Sequence, residues 1–219
     1  KKQHALFSMK DIADMIDISA NPEKNQWDQY AADNVAAKYS HLFDWGEKLA
    51  STYTLPIVRL AAINRQTRRM TGILPLILFA PPGKSKRLIS LPYTDAAGIL
   101  ADDWQSAHRL LLAAMELACE YGADHVELRQ DGALQTFFQQ QMATGTWSHA
   151  PYNFKTGLLR PVPAAVDALW LELSAKVRNQ IRKARHCDCV AKVGGADLLA
   201  DFFAVFSENM RDLGSPVHA

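Results

Sequence analysis

Cysteine is scarce in this 219-residue chain. Cys119, Cys187 and Cys189 are too few for a disulfide framework, and the single residue between the last two is not zinc-knuckle spacing. All three are expected to be reduced thiols of a cytoplasmic protein. No apolar run approaches the roughly 20 residues that cross a bilayer, so no membrane span is expected. The basic start, KKQHALFSMK, lacks the apolar core and the small-residue cleavage site of a signal peptide. One-sided charge is missing as well: 24 Lys and Arg against 23 Asp and Glu leave a net charge of +1. That balance disfavours a wholesale nucleic-acid binder while allowing a local basic patch. Nucleophile elbow, P-loop and dinucleotide fingerprint are all absent. So is a glycine-rich turn of the kind that holds the pyrophosphate of coenzyme A. The seven histidines are scattered without ligand spacing, and no metal is expected. What remains is 48% apolar and 21% charged, enough to bury a core.

The pattern along the chain predicts an α+β protein. MIDIS (15–19) alternates as a strand, and a helix follows with Asn21 as N-cap and Pro22 in its first turn. HLFDWGEKLASTY (41–53) predicts a second short helix. LPIVRLAAI and TGILPLILF are β-rich apolar runs flanking a basic tip with Arg65, Arg68 and Arg69, which is a hairpin signal. SKRLISLP predicts a strand running into a loop with Pro92, Tyr93, Asp95 and Gly98. The clearest helix starts at Asp102 or Asp103, carries Trp104, Ala107, Leu111, Ala114, Ala118 and Tyr121 at helical spacing, and ends at Gly122. HVELR (125–129) is a further strand. A mixed, largely antiparallel sheet flanked by helices is therefore expected. Residues 146–161 suggest two more strands or one bent strand, and Pro161 and Pro163 mark a domain boundary. Beyond it the pattern reads helix (164–186), strand (CVAKV, 189–193), Gly-Gly turn and helix (197–212). The last helix has an apolar face of Leu198, Leu199, Phe202, Phe203, Val205, Phe206 and Met210. Helix, strand, helix is the opening of a fold, so a domain truncated at Ala219 is expected.

Three stretches carry candidate chemistry. AKVRNQIRKARHC holds Lys176, Arg178, Arg182, Lys183 and Arg185 with no acid among them. Arg178, Arg182 and Arg185 fall at i, i+4 and i+7 on one helix face, beside Val177, Ile181 and Ala184. Like charges so spaced repel by a few tenths of a kcal/mol per pair. An arriving phosphate offsets that repulsion; a solvated basic face is the other reading. In LISLPYTDAAG, Tyr93 and Asp95 are poised to meet a substrate, or the segment is a Pro-led turn whose Asp bonds its own backbone. Glu127 and Arg129 share a strand face with His125, as a structural pair or a catalytic one. The closing NMRDLGSPVHA adds Arg211 and His218 in a polar turn.

GILPLILF, LISLPYTDAAGIL, HVELR, LWLELSAKVRNQIRKAR and FFAVFSENMRDLGSPVH occur in the order seen in FemAB-like proteins. The resemblance runs from about residue 13 to the end and is nearest to the branch associated with the exosortase/PEP-CTERM system of Gram-negative bacteria. It implies two tandem acyltransferase folds of the GNAT type, the first over 1–160 and the start of the second over 164–219. It also implies N-acyl transfer to an amine of a cell-envelope or exopolysaccharide-related acceptor, with aminoacyl-tRNA or acyl-CoA as co-substrate and no permanently bound cofactor. The partner is then a phosphorylated or saccharide acceptor. By the same likeness Arg182, Lys183 and Arg185 would hold precursor phosphate, Lys48 in DWGEK would assist, and Tyr93 would face the cleft. Asp95 and His218 are the candidates for general base. Asp188 departs from the glycine usual in relatives and sets an acid beside the basic helix. The alternatives are an acyl-CoA-dependent GNAT acetyltransferase and a non-catalytic module that binds a phosphorylated saccharide or tRNA. The fragment alone is expected to be inactive.

Overall fold

A computed structural model describes residues 15–20, 22–130, 160–187 and 190–215, with positions 148, 150, 158 and 217. The chain divides into two compact units, Lys1–Pro151 and Tyr152–Ala219. Most of the stretch expected as strand over 146–161, together with Asp188 and His218, lies outside the described residues.

The first unit is α+β, with a largely antiparallel sheet between helices. Its elements are β1 (Ile16–Ser19), α1 (Lys24–Asp33), α2 (Phe43–Tyr53), β2 (Ile57–Asn64), β3 (Met70–Phe79), β4 (Arg87–Ile89), β5 (Leu100–Ala101), α3 (Trp104–Glu120) and β6 (His125–Glu127). The sheet order is β1-β2-β3-β4-β6, with β5 pairing β3 further along the edge that β4 occupies. The β2–β3 hairpin forms as expected, with Ile57 opposite Ile77 and a bulge at Ala62/Ile63. Asn64 Oδ1 closes its tip by accepting from Gln66 N and Thr67 N, both at 3.0 Å. Arg65 Nε donates to Asp17 Oδ1 at 2.6 Å, which ties the tip to β1.

Side chains alternate across the sheet, so the two apolar runs feed two cores. Leu60, Ala62, Leu74, Leu76 and Leu88 pack with Ala107, Leu110, Leu111 and Ala114 of α3. On the other face Ile73 and Leu100 meet Trp27 and Ala31 of α1, while Ile77 and Leu91 meet Ala50 of α2. Asp103 caps α3, as its position before the periodic run predicts, accepting from Ser106 N at 2.7 Å. The cap of α1 is Glu23 and not Asn21 as expected, so Pro22 precedes that helix rather than entering its first turn.

The sequence pattern gave no sign of the short strand β5, nor of the gap before it. On the outer edge of β3, Ile77 pairs with Ile89 and Ile73 with Leu100. Between these points residues 90–99 leave the sheet. Pro75 lies between Ile73 and Ile77. Leu78 N donates to Pro56 O on the β2 side, and backbone groups alternate sides along a strand. Pro75 therefore turns its missing N–H toward the gap, where no strand asks for one.

The second unit holds α4 (Val166–Glu172), α5 (Ala175–Arg185) and α6 (Leu199–Asp212). The single helix expected over 164–186 is two. Leu173 and Ser174 are both extended, and the Ser174 hydroxyl caps α5 by accepting from Val177 N. The strand expected at 189–193 is corrected as well: residues 190–193 are irregular, and among the described residues of this unit no strand exists to share a ladder with them. Helix α6 forms as expected, but Leu199, Phe202, Phe203 and Val205 of its apolar face are exposed.

Candidate functional site

The site begins where two parallel strands part. Strands β4 and β6 pair in register from Arg87–His125 to Ile89–Glu127, with α3 as the crossover between them. Ser90 N still donates to Glu127 O at 2.9 Å. One step on, Arg129 N donates to the Ser90 hydroxyl at 2.7 Å instead of to a main-chain carbonyl. Arg129 O then accepts from Ala97 N at 3.1 Å and Gly98 N at 3.0 Å. The Gln130 amide pairs with both backbone groups of Ile99. The ladder thus closes on residues 97–99, and 91–96 is expelled as a loop at the carboxyl ends of the strands.

That loop is strained and firmly held. Leu91 (φ 56°) and Tyr93 (φ 62°) occupy the left-handed region, which costs a non-glycine residue about 1–2 kcal/mol. Such outliers persist only where surrounding contacts impose them, and they cluster at functional positions. Leu91 is fully buried beneath α2. The Arg129 guanidinium donates to Thr94 O at 2.6 Å, and the Thr94 hydroxyl donates to Leu91 O at 2.9 Å. Ser40 Oγ donates to Ala96 O. His41 Nδ1 accepts from Lys38 N at 3.0 Å, which leaves the proton on Nε2, facing Gly98 O at 3.2 Å. Burial lowers the pKa of His41 against the pull of these backbone bonds, which favours the neutral ring.

Tyr93 and Asp95 are brought together on this loop, both exposed. The Tyr93 ring stacks on Tyr53 of α2, centroids 4.5 Å apart and planes at 27°. Lys48 is exposed on α2, five residues before Tyr53 and so about 140° around the helix from it. Glu127 and Arg129 do pair, Nε to Oε1 at 3.2 Å, and Arg87 lies 3.9 Å from the same carboxylate. Sequence reasoning missed Ser40, His41 and Gln130 as the loop's supports, because each meets it from a distant segment, and Ser90, because its partner Arg129 N is distant. It also missed Arg59, an arginine inside the apolar run LPIVRLAAI. Its buried guanidinium bonds Glu47 at 2.6 Å, lies 3.7 Å from the centre of the Phe43 ring and fastens α2 to the sheet.

In the second unit the basic cluster separates by role. Arg178 donates to Leu173 O at 2.7 Å and Leu171 O at 3.3 Å, closing the carbonyl end of α4. Arg182 donates to Asn179 Oδ1 at 3.1 Å. The Arg182 and Arg185 guanidinium carbons each lie 5.5 Å from the centre of the Trp170 ring. Lys176 and Lys183 are exposed. Arg211 pairs with Asp212 at 3.3 Å and Glu208 at 3.5 Å on its own helix turn.

A coenzyme A diphosphate would seek free N–H groups at a helix start. At the start of α3, Asp103 already takes Ser106 N, and Asp102 beside it accepts from Tyr30 OH at 2.8 Å. Burial and that bond to Asp102 raise the Tyr30 pKa. Two carboxylates at this terminus do not fit a diphosphate. Among the described residues no three His, Cys, Asp or Glu side chains cluster as a metal site, and no helix is long and apolar enough to cross a membrane.

No protein-family profile and no curated protein matches the chain. Solved acetyltransferase structures do resemble it. An acetyltransferase from Trypanosoma brucei is 11% identical with a TM-score of 0.44, over 65% of this chain and 99% of its own. The ribosomal-protein-alanine N-acetyltransferase of Brucella melitensis biovar Abortus 2308 is 14% identical with a TM-score of 0.41, over 64% and 99%. Glucosamine-6-phosphate N-acetyltransferase of Arabidopsis thaliana is 10% identical with a TM-score of 0.40, again over 64% and 99%. Likeness this distant carries no information about substrate or chemistry.

Proposed function

We propose that the protein is an N-acyltransferase of the FemAB type, which moves an aminoacyl group from an activated ester to a primary amine on a phosphorylated, cell-envelope or exopolysaccharide-related acceptor. The observation that carries this reading is the strained loop at the carboxyl ends of β4 and β6, with Tyr93 and Asp95 exposed on a frame of side-chain bonds. The sequence motifs shared with FemAB-like proteins supply the reaction class. Acyl transfer asks an enzyme mainly to align two reactants and to stabilise the oxyanion. A loop pinned from three segments suits that task. The amine lone pair attacks the ester carbonyl, a C–N bond forms, and the C–O bond breaks as the alcohol leaves. Tyr93 donates to the developing oxyanion, and Asp95 takes the proton that the attacking amine sheds and returns it to the leaving oxygen. On the second unit, taken by itself, Arg182, Lys183 and Arg185 bind phosphate. The two carboxylates at the start of α3 disfavour a coenzyme A diphosphate at that helix terminus.

The test is a multiple-turnover assay of the full protein with labelled aminoacyl-tRNA or acyl-CoA and an amine acceptor. Aminoacyl transfer is expected, with kcat reduced by about 10²-fold or more in Asp95→Asn if Asp95 is the base. Turnover with acyl-CoA alone overturns the donor assignment. Acceptor binding without transfer from either donor leaves a non-catalytic module.

A further inference from the structure

Trp170 lies outside the proposed set of binding residues, yet two members of that set rest on it. The Arg182 and Arg185 guanidinium carbons are both 5.5 Å from its ring centre, inside the roughly 6 Å range of cation–π attraction. The place of the ring is fixed from a third side, because Arg178 clasps the Leu171 and Leu173 carbonyls and holds the end of α4 to α5. Among the described residues, the ion pairs of this unit are Arg160–Glu172, Arg211–Glu208 and Arg211–Asp212. None engages Lys176, Arg182, Lys183 or Arg185. Two guanidinium groups three residues apart on a helix repel, and here one indole ring contacts both. Arg182 spends one N–H on Asn179 Oδ1; the remaining guanidinium N–H groups match phosphate oxygens two at a time.

We infer that Trp170 is a positioning residue, whose indole presents Arg182 and Arg185 as a paired clamp for one phosphate group of a small phosphorylated ligand. This rests on the reading of the basic helix as the acceptor-phosphate site. A nucleic-acid strand fits less well. Arg178, the third cation of the stripe, is engaged with α4. The neighbouring cations then number too few to follow a backbone of many phosphates.

The full chain is titrated with inorganic pyrophosphate by calorimetry at two salt concentrations, with a single-stranded RNA oligonucleotide as the rival probe. R182A/R185A is expected to weaken pyrophosphate binding at least tenfold. W170L, which keeps every charge, is expected to weaken it about fivefold with an unchanged salt dependence, and W170F to recover most of the loss. Wild-type binding by W170L alongside a defective R182A/R185A overturns the platform and leaves a site made by charge alone. Wild-type binding by all variants removes the basic helix from the proposed function. Tighter binding of RNA than of pyrophosphate, with a steep salt slope, overturns the choice of a small ligand. Arginine side-chain NMR of the wild type decides the matter should W170L lose helix content. The Arg182 and Arg185 Nε–H signals must be displaced by the ring and move together on adding pyrophosphate. Independent movement, or none, overturns the clamp.

Discussion

Arg129→Met tests whether the candidate loop is held as described. The substitution keeps the aliphatic stem and the backbone bond to Ser90, and it removes the guanidinium. Two interactions go with it: the bond to Thr94 O at 2.6 Å and the pair with Glu127 at 3.2 Å. A hydrogen bond from a charged donor contributes about 1.5–3 kcal/mol. The Glu127 pair is about a third exposed, and partly solvated pairs contribute about 0–1 kcal/mol. The loss of unfolding free energy should therefore be about 2–3 kcal/mol, most of it through Thr94. Chemical denaturation measures the total, and hydrogen exchange locates it, with amides of residues 91–99 expected to lose protection before those of β2 and β3. Glu127→Gln is the control. It keeps the Thr94 bond and should cost less than about 1 kcal/mol. The reasoning is refuted if Arg129→Met costs under about 0.5 kcal/mol, or if Glu127→Gln is equally damaging.

Burial lowers the pKa of His41, and burial together with nearby Arg109 lowers that of His108, both from the ordinary value of 6.5. Below that pH the unfolded chain binds more protons, so their contribution is whole above 6.5 and is lost as pH falls toward the lowered folded values. Denaturation between pH 7.5 and 5 should show this decline, and His41→Gln should flatten it; an unchanged slope counts against the assignment. Gly72→Ala sets a methyl 2.9 Å from Leu110 Cδ1 and 3.2 Å from Leu100 O, a clash expected to cost about 1–3 kcal/mol in thermal unfolding. A neutral result means α3 lies further from β3. Trp27→Phe keeps an aromatic ring but leaves the buried His41 carbonyl without the indole N–H that meets it at 2.5 Å. Equilibrium denaturation should show a loss of about 1–3 kcal/mol, and no loss would mean that solvent or another donor replaces it.

Elements with local causes were legible in the sequence. The β2–β3 hairpin follows from two apolar runs and a polar tip, and α3 follows from Asp103, its periodic apolar face and Gly122 at φ 62°. Elements with distant causes were not. Strand β5 has two residues and exists because β3 lies beside it. The Tyr93–Asp95 stretch stood out as a loop, but its conformation is set from Ser40, His41 and Arg129, between 35 and 57 residues away along the chain. The break between α4 and α5 had a usable signal in Ser174, a capping residue that the apolar periodicity around it concealed. CVAKV reads as a strand in the sequence, but a short apolar run does not supply the neighbour whose hydrogen bonds make it one.

The basic helix shows what spacing alone leaves out. Arg178, Arg182 and Arg185 share a face at i, i+4 and i+7, and on an isolated helix they would be equivalent. Helix α4 makes them different. Its unsatisfied C-terminal carbonyls draw Arg178, and its Trp170 draws the other two. Arg178 closes the end of α4, and its loss should loosen the α4–α5 turn, whereas loss of Arg182 or Arg185 should leave folding nearly untouched. No described residue of the second unit is buried, while the first unit holds the core. Exposed substitutions away from caps and networks usually stay within about 0.5 kcal/mol. Stability and ligand affinity are therefore separable. Changes at Arg129, Gly72 and Trp27 report on the first unit's core and loop, and changes at Arg182 and Arg185 report on the proposed phosphate site.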